Sequence, residues 1–224
     1  MRNSRLNKLL KDNTEYKGFL SEQLNITEDF EIVKNGLPYY ISSMAYSIGY
    51  KKIWLSNEIK RIIYFIAEKD ELEELKEGCR FIIQHELGHS HRVEEKNKNV
   101  TGYFNRLLYI NSGNYIMECF PESEATRYAI SRSKDYVEAL AGLSAISSFL
   151  YKSGTENSIN SFSEHFSNSN VEEGKREILN AISSFRLSNE NYAKILKKAE
   201  TYLKKLNENL ENSFLYKVKE KTKS

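Results

Sequence analysis

Three of the four histidines of this chain lie within seven positions, in the stretch IIQHELGHSHR at residues 82–92. His85 and His89 are four residues apart, so on a helix their side chains project from one face and can hold one ion. Zinc binds imidazole nitrogen at about 2.0–2.1 Å, and its catalytic sites keep one tetrahedral position for water. Glu86 is turned by about 100° from His85, which suits a general base acting on that water. The H-E-x-x-H spacing therefore predicts the zinc site of a peptidase.

The alternative interpretation is a chance match, because His and Glu both suit helix surfaces. The surrounding residues argue against it. Residues 82–84 are uncharged, Leu87, Gly88 and Ser90 add no charge, and the motif continues an apolar face that includes Cys79. Two histidines and a glutamate without a ligand would be costly on such a face. We therefore interpret the motif as a site for one Zn²⁺ per chain.

A metal held by two histidines alone is loosely bound, so a third protein ligand is required. A histidine six residues after His89 would complete one known pattern, but that position is Glu95. His91 is two residues from His89 and faces away from it on a helix. The better candidates are the carboxylates of ECFPESEATRYA, residues 118–129.

Glu122 is the favoured third ligand within that stretch. Pro121 suits the first position of a helix, and the helix dipole there keeps a nearby carboxylate ionised, as a ligand must be. Small residues at Ala125 and Ala129 would let this helix approach the motif. Glu118 and Glu124 remain the alternatives.

The elements that must position these residues are mostly helical. Ser56 is predicted to cap one helix, and Asp70 with Glu73 is predicted to form the capping box of the helix that carries the motif. The predicted helical regions are residues 3–24, 56–66, 70–89, 121–131, 135–151, 171–186 and 189–211. Residues 39–56, rich in Tyr and Ile, are the only segment that predicts β-structure, as two strands joined by a turn.

These elements predict an α+β fold with a small sheet packed on the active-site helices. The predicted domain covers residues 1–151, and residues 152–224 supply a polar connector and a C-terminal helical hairpin. Gly142 and the alanines around it are expected to allow close helix packing. The hairpin is expected to pack on the core, with binding of a partner as the alternative.

Composition and charge exclude several other classes. Of 224 residues, 40% are hydrophobic, which is enough for a sizeable core, and the net charge is only +2, so no basic excess predicts direct nucleic-acid binding. The start has no apolar run of a secretory signal, and the apolar stretch 139–151 is too short to span a membrane. Cys79 and Cys119 form no ligand pair. We therefore expect a soluble, cytoplasmic protein with reduced thiols; the sequence carries no signal of its oligomeric state.

HELGH followed by E-x-E-A-x-x-Y-A, residues 122–129, resembles the gluzincin zinc peptidases. The resemblance is closest to the ImmA/IrrE-type family, whose second motif is E-x-E-A-N-x-F-A, and extends to the related HtpX/Ste24-type peptidases. It covers residues 40–132 and implies a zincin-like metallopeptidase fold in which Glu122 is the third ligand. Thr126 stands where the family has Asn or Asp, and Tyr128 replaces its Phe.

The resemblance also implies a substrate. ImmA/IrrE-type enzymes cleave a helix-turn-helix repressor, so it implies an intracellular endopeptidase that cuts a specific regulatory partner protein. Two alternatives remain: a quality-control peptidase of broad specificity, and an inactive, zinc-stabilised protein-binding module. Glu86 argues against the last, because a structural site needs only the ligands.

Overall fold

The computed structural model describes residues 2–34, 45–49, 51–97, 125–126, 128–151 and 189–210. Within these residues the fold is mostly helical with one small sheet, which agrees with the predicted α+β class. The helices are α1 (Arg2–Lys11), α2 (Asn13–Leu24), α3 (Asn57–Ala67), α4 (Lys76–Asn97), α5 (Tyr136–Tyr151) and α6 (Asn189–Leu210), and the strands are β1 (Glu31–Ile32), β2 (Ala45–Gly49) and β3 (Lys52–Leu55). Residues 125–126 and 128–132 are also helical, and we call them the Thr126 helix.

The first predicted helical region forms two helices, α1 and α2. The break falls at Asp12, whose carboxylate accepts hydrogen bonds from the backbone N–H groups of Thr14 and Glu15 and so caps α2. Helix α2 ends at Asn25, which adopts the left-handed conformation with φ of 51°. The chain then turns back toward the sheet.

The sheet has the order β1-β3-β2. Strands β2 and β3 are antiparallel and confirm the strand pair predicted within residues 39–56, although residues 39–44 lie outside the described part. The prediction that this segment holds all the β-structure is wrong, because β1 pairs with β3 in parallel. A strand of two residues is too short to produce an alternating pattern in the sequence.

Helix α3 begins as predicted, with the Ser56 hydroxyl accepting a hydrogen bond from the backbone N–H of Ile59. The predicted capping box of the next helix is wrong. Asp70–Leu75 forms a 3₁₀ helix, the residue before it, Lys69, makes no side-chain cap, and α4 begins only at Lys76. The apolar face that includes Cys79 is nevertheless buried, and it consists of Leu72, Leu75, Cys79 and Ile82.

Helix α4 crosses α5 at a contact between two glycines. A Cβ added to Gly78 would lie 2.5 Å from the carbonyl carbon of Gly142, so neither position has room for a side chain. This confirms the close approach expected at Gly142. Helix α6 also packs against α5, and its buried residues are Ile195, Ala199, Tyr202, Leu206 and Leu210.

Several predictions fall on residues outside the described ranges. They are the helix start at Pro121, the connector and the helix 171–186. The division into residues 1–151 and 152–224 therefore stays a prediction. Among the helices that the structure describes, none is both long enough and apolar enough to cross a membrane.

Candidate metal centre

His85 and His89 lie on α4 and point at one another. Their Nε2 atoms are 3.2 Å apart, and the rings meet edge to face with centroids 4.8 Å apart. The prediction that the motif lies on a helix is therefore confirmed. The two nitrogens that could serve as ligands converge on one point beside α4.

The ring of His85 is oriented by two further contacts. The ring of Phe81, one turn earlier on α4 and only 1% exposed, stacks against it at 6.2 Å between centroids. At the edge of the ring, the hydroxyl of Thr126 lies 3.1 Å from Nδ1 of His85. Since the Thr126 side chain is fully buried, it has few other positions to adopt. Thr126, where the family has Asn or Asp, thus still reaches the first histidine.

A hydroxyl at this place satisfies both tautomers of the imidazole. It accepts a hydrogen bond from a protonated Nδ1, which leaves a lone pair on Nε2, as a metal ligand requires. It also donates to an unprotonated Nδ1, and Nε2–H of His85 is then free to donate across the 3.2 Å to His89. An ionised carboxylate could only accept. Thr126 therefore suits the metal-bound and the metal-free ring equally.

The spacing of the two nitrogens fits a tetrahedral ion. Two ligands at about 2.0–2.1 Å from zinc, at the tetrahedral angle, are about 3.3 Å apart, and the Nε2 atoms are 3.2 Å apart. Neutral imidazole nitrogens are also good ligands for zinc, whereas calcium and magnesium bind mainly oxygen ligands. The residues present fit this metal.

Glu86 follows the first histidine and is only 9% exposed. Its side chain therefore has little contact with bulk solvent. Ser90, directly after the second histidine, is fully buried, and its hydroxyl accepts a hydrogen bond from the backbone N–H of Lys51. This bond ties the turn between β2 and β3 to α4, because Lys51 lies in that turn with a φ of 53°.

Gly88 allows the Thr126 helix to approach α4. A Cβ on Gly88 would lie 2.7 Å from the Cα of Ala125 and 2.9 Å from the Cβ of Tyr128. Any larger residue in the fourth position of HELGH would push this helix away, and Thr126 with it. The glycine of the motif is therefore a requirement of packing.

Tyr128 is turned about 200° from Thr126 around the helix. The guanidinium of Arg132 lies 3.4 Å above the centre of its ring. Burial raises the pKa of the Tyr128 phenol, with the charges of Arg132 and Glu28 acting in opposite directions, so the phenol stays protonated. The ring of Tyr128 therefore packs against Arg132 on a different side of the helix from Thr126.

Three residues beside the site were not predicted from the sequence. Gln84, directly before His85, donates from Nε2 to Oε2 of Glu28 at 3.0 Å. Nε of Arg132 donates to Oε1 of the same carboxylate at 2.9 Å. The partners are 56 and 104 residues apart in the chain, so no local pattern could have indicated them.

The predicted third ligand cannot be placed, because its candidates fall on residues that the structure does not describe. Glu122, with its alternatives Glu118 and Glu124, lies outside the described ranges. Within those ranges, no group of three His, Cys, Asp or Glu side chains could hold a metal ion. Glu122 therefore stays a prediction.

The chain matches no protein-family model, no curated protein and no solved structure. The resemblance to ImmA/IrrE-type peptidases therefore rests on the two motifs quoted above.

Proposed function

We propose that this protein is an intracellular zinc-dependent endopeptidase with a zincin-like fold. His85, His89 and Glu122 would hold the zinc ion, and Glu86 would be the general base. The observation that carries the proposal is the spacing of the two Nε2 atoms, 3.2 Å, with Thr126 at the outer nitrogen of His85. This is the arrangement expected of two metal ligands whose orientation is fixed by a hydrogen bond behind one of them.

The chemistry divides between the ion and the chain. A bound zinc ion supplies a Lewis acid that polarises a peptide carbonyl and acidifies water. Glu86 takes the proton of the attacking water and passes it to the leaving amine, so that the amine departs uncharged. Phe81 and Thr126 keep His85 oriented throughout.

The proposed substrate is a specific regulatory partner protein, as the resemblance implies, with a helix-turn-helix repressor as the first candidate. The two rival functions make different predictions. A quality-control peptidase would degrade unfolded casein, and a binding module would bind a partner without cutting it.

The central experiment compares wild type with Glu86→Gln. The variant should keep zinc and fold but lose cleavage by orders of magnitude, because the proton acceptor is gone. Glu73→Gln is the matched control, because Glu73 is an exposed carboxylate just before α4 and should leave cleavage unchanged. The substrates are unfolded casein and the protein encoded by the gene next to this one, which is the first place to look for a helix-turn-helix repressor. If wild type binds that product tightly and never cuts either substrate, the protein is a binding module.

The third ligand is tested by a series of three variants. Glu122→Gln should lower zinc retention during dialysis far more than Glu124→Gln or Glu118→Gln, because only a ligand loses a metal bond. Metal content is measured per chain, with one zinc expected for wild type. If Glu124→Gln or Glu118→Gln has the largest effect, the ligand is that residue instead.

A further inference from the structure

The segment from Leu24, the last residue of α2, to Glu28 runs along the helix that carries the motif. Nε of Arg80 donates to the backbone carbonyl of Leu24 at 2.7 Å, and one turn later Nε2 of Gln84 donates to Glu28 at 3.0 Å. Arg80 and Gln84 are both buried. The equal spacing of four residues in both partners shows that this segment follows the axis of α4 toward His85.

The carboxylate of Glu28 joins two helices at once. One oxygen accepts from Gln84 on α4, and the other accepts from Arg132 on the Thr126 helix at 2.9 Å. The Arg132 guanidinium is held in place by the ring of Tyr128 beneath it. Burial of Glu28 favours its neutral form, but hydrogen bonds from Gln84, a backbone N–H and Arg132 outweigh it, so the pKa of Glu28 is lowered and it stays ionised.

The joined helices are the two that form the metal site. Gln84 is the residue before His85, while Arg132 is six residues after Thr126, about 9 Å along the same helix. Further along α4, Gly88 brings the two helices into direct contact at Ala125 and Tyr128. That contact limits the distance between the two helices. Apolar contact alone does not fix the position of one helix along the axis of the other. A carboxylate that accepts hydrogen bonds from both helices fixes the distance and the position. The position of Thr126 against His85 depends on that alignment.

We propose that Glu28 is a positioning residue of the metal centre: by bridging Gln84 and Arg132 it holds the Thr126 hydroxyl at Nδ1 of His85. The inference rests on the proposed zinc site and extends it to the segment between α2 and β1, which lies outside the two motifs. Glu28 itself touches neither histidine, so it acts through Thr126.

The test compares Glu28→Gln with Asp29→Asn. Each variant removes one charge from neighbouring residues, but Asp29 is 81% exposed and pairs with Lys17 on α2 at 2.6 Å, away from the site. Zinc affinity is measured by competition with a chromophoric chelator. Loss of a group that orients a metal ligand typically weakens affinity by about 10–100-fold. We expect a loss in that range for Glu28→Gln and less than about threefold for Asp29→Asn.

A double-mutant cycle separates positioning from general stability. In a Thr126→Val background, Glu28→Gln should change zinc affinity little further, because the hydroxyl through which it acts is absent. The visible spectrum of the cobalt-substituted protein should shift in Glu28→Gln and in Thr126→Val, and Thr126→Ser should restore the wild-type spectrum. Full additivity of the two losses, or equal affinities for Glu28→Gln and Asp29→Asn, overturns the inference.

Arg132→Gln breaks the same bridge from its more exposed end and serves if Glu28→Gln does not fold. It should weaken zinc binding to the same degree, and wild-type affinity in that variant would also overturn the inference. If wild type itself takes up no zinc, the proposed function fails, and the positioning role of Glu28 fails with it. If wild type takes up zinc and both Glu28→Gln and Arg132→Gln bind it equally well, only the positioning role of Glu28 is overturned.

Discussion

Helix α4 makes two close contacts, one at Gly78 and one at Gly88, and their surroundings differ. At Gly78 the partner is the backbone of Gly142, and most of the neighbouring buried residues are apolar, among them Leu75, Cys79 and Ala141. At Gly88 the partner is the Thr126 helix, and the buried residues nearby are polar: Glu86, Ser90 and Thr126. The same device, a glycine at a helix crossing, thus serves two purposes on one helix.

The two contacts differ in what their buried residues contribute to the protein. Apolar burial at the Gly78 end stabilises the fold by itself. Buried polar groups at the Gly88 end cost free energy unless each is paired. Pairing there is specific, as between Thr126 and His85, so that end trades stability for orientation. Variants at the two ends should therefore separate folding from metal binding.

The largest expected effect is at the histidine pair. Structural zinc sites with four ligands bind by roughly 10–16 kcal/mol, so one ligand contributes about 3–4 kcal/mol. His89→Ala should therefore weaken zinc binding on the order of 10²–10³-fold, while unfolding by urea with a chelator present should change little. His91→Ala is the control, because the helical spacing predicts that His91 faces away. If both variants lose zinc equally, His89 has no special role.

The metal should also stabilise the end of α4 that binds it. Zinc bound only to the folded chain adds about 2.7 kcal/mol at a free concentration one hundred times its Kd. The melting temperature of wild type should therefore fall when a chelator is added, and that of His89→Ala should not respond. A wild-type melting temperature indifferent to chelator would contradict the zinc site.

At the other end, Gly78→Ala should damage folding alone. The added Cβ meets backbone atoms of α5 at 2.5–2.7 Å, and backbone cannot move aside as a side chain can. We expect a loss of about 1–3 kcal/mol in the free energy of unfolding, with zinc affinity of the folded protein unchanged. Gly18→Ala in α2 is the control: its Cβ meets nothing within 4 Å, so better helix propensity should stabilise by up to about 1 kcal/mol.

Gly88→Ala sharpens the comparison, because it should produce both effects together. Its Cβ collides with Ala125 and Tyr128, so stability should fall by about 1–3 kcal/mol. The same displacement moves Thr126 from His85, so zinc affinity should fall by about tenfold or more. Chelator competition on the folded fraction is the decisive measurement. Unchanged affinity would mean that the Thr126 helix does not influence the metal site.

The smallest effect is expected at the surface pair of Glu74 and Lys205, 2.7 Å apart, which joins α6 to the segment before α4. Glu74→Gln should cost at most about 1 kcal/mol and leave zinc affinity unchanged. Burial opposes the charge of Glu74, but the hydrogen bond from Lys205 outweighs it and lowers its pKa. The contribution is therefore complete above the ordinary pKa of 4.5 and lost as the pH falls through the lowered value. A pH-independent difference between the two proteins would contradict this account.

The sequence predicted what depends on local spacing. The helical period of the leucines and isoleucines marked α1 to α4, Ser56 marked a helix start, and the small residue Gly142 marked a crossing. The predicted capping box failed because Asp70 and Glu73 are equally suited to a 3₁₀ turn, and the choice between them depends on how Leu72 and Leu75 pack.

The candidate site was predicted only where one helix carries it. His85 and His89 are related by helix geometry alone, whereas the contact between Thr126 and His85 spans 41 residues. The bridge at Glu28 is further removed, because a glutamate, a glutamine and an arginine have no pattern until the fold brings them together. Such contacts depend on the packing of whole helices, which the spacing of residues does not reveal.

The span of the Glu28 bridge also sets an order of events during synthesis. Glu28 and Arg132 are 104 residues apart, and a ribosome adds roughly 5–20 residues per second. About 5–20 s therefore pass between the synthesis of the two partners. In the part of that interval between the synthesis of His89 and that of Thr126, HELGH has been made but the hydroxyl that supports His85 has not. In the proposed zinc site, the support that Thr126 gives His85 therefore forms only after both segments have been made.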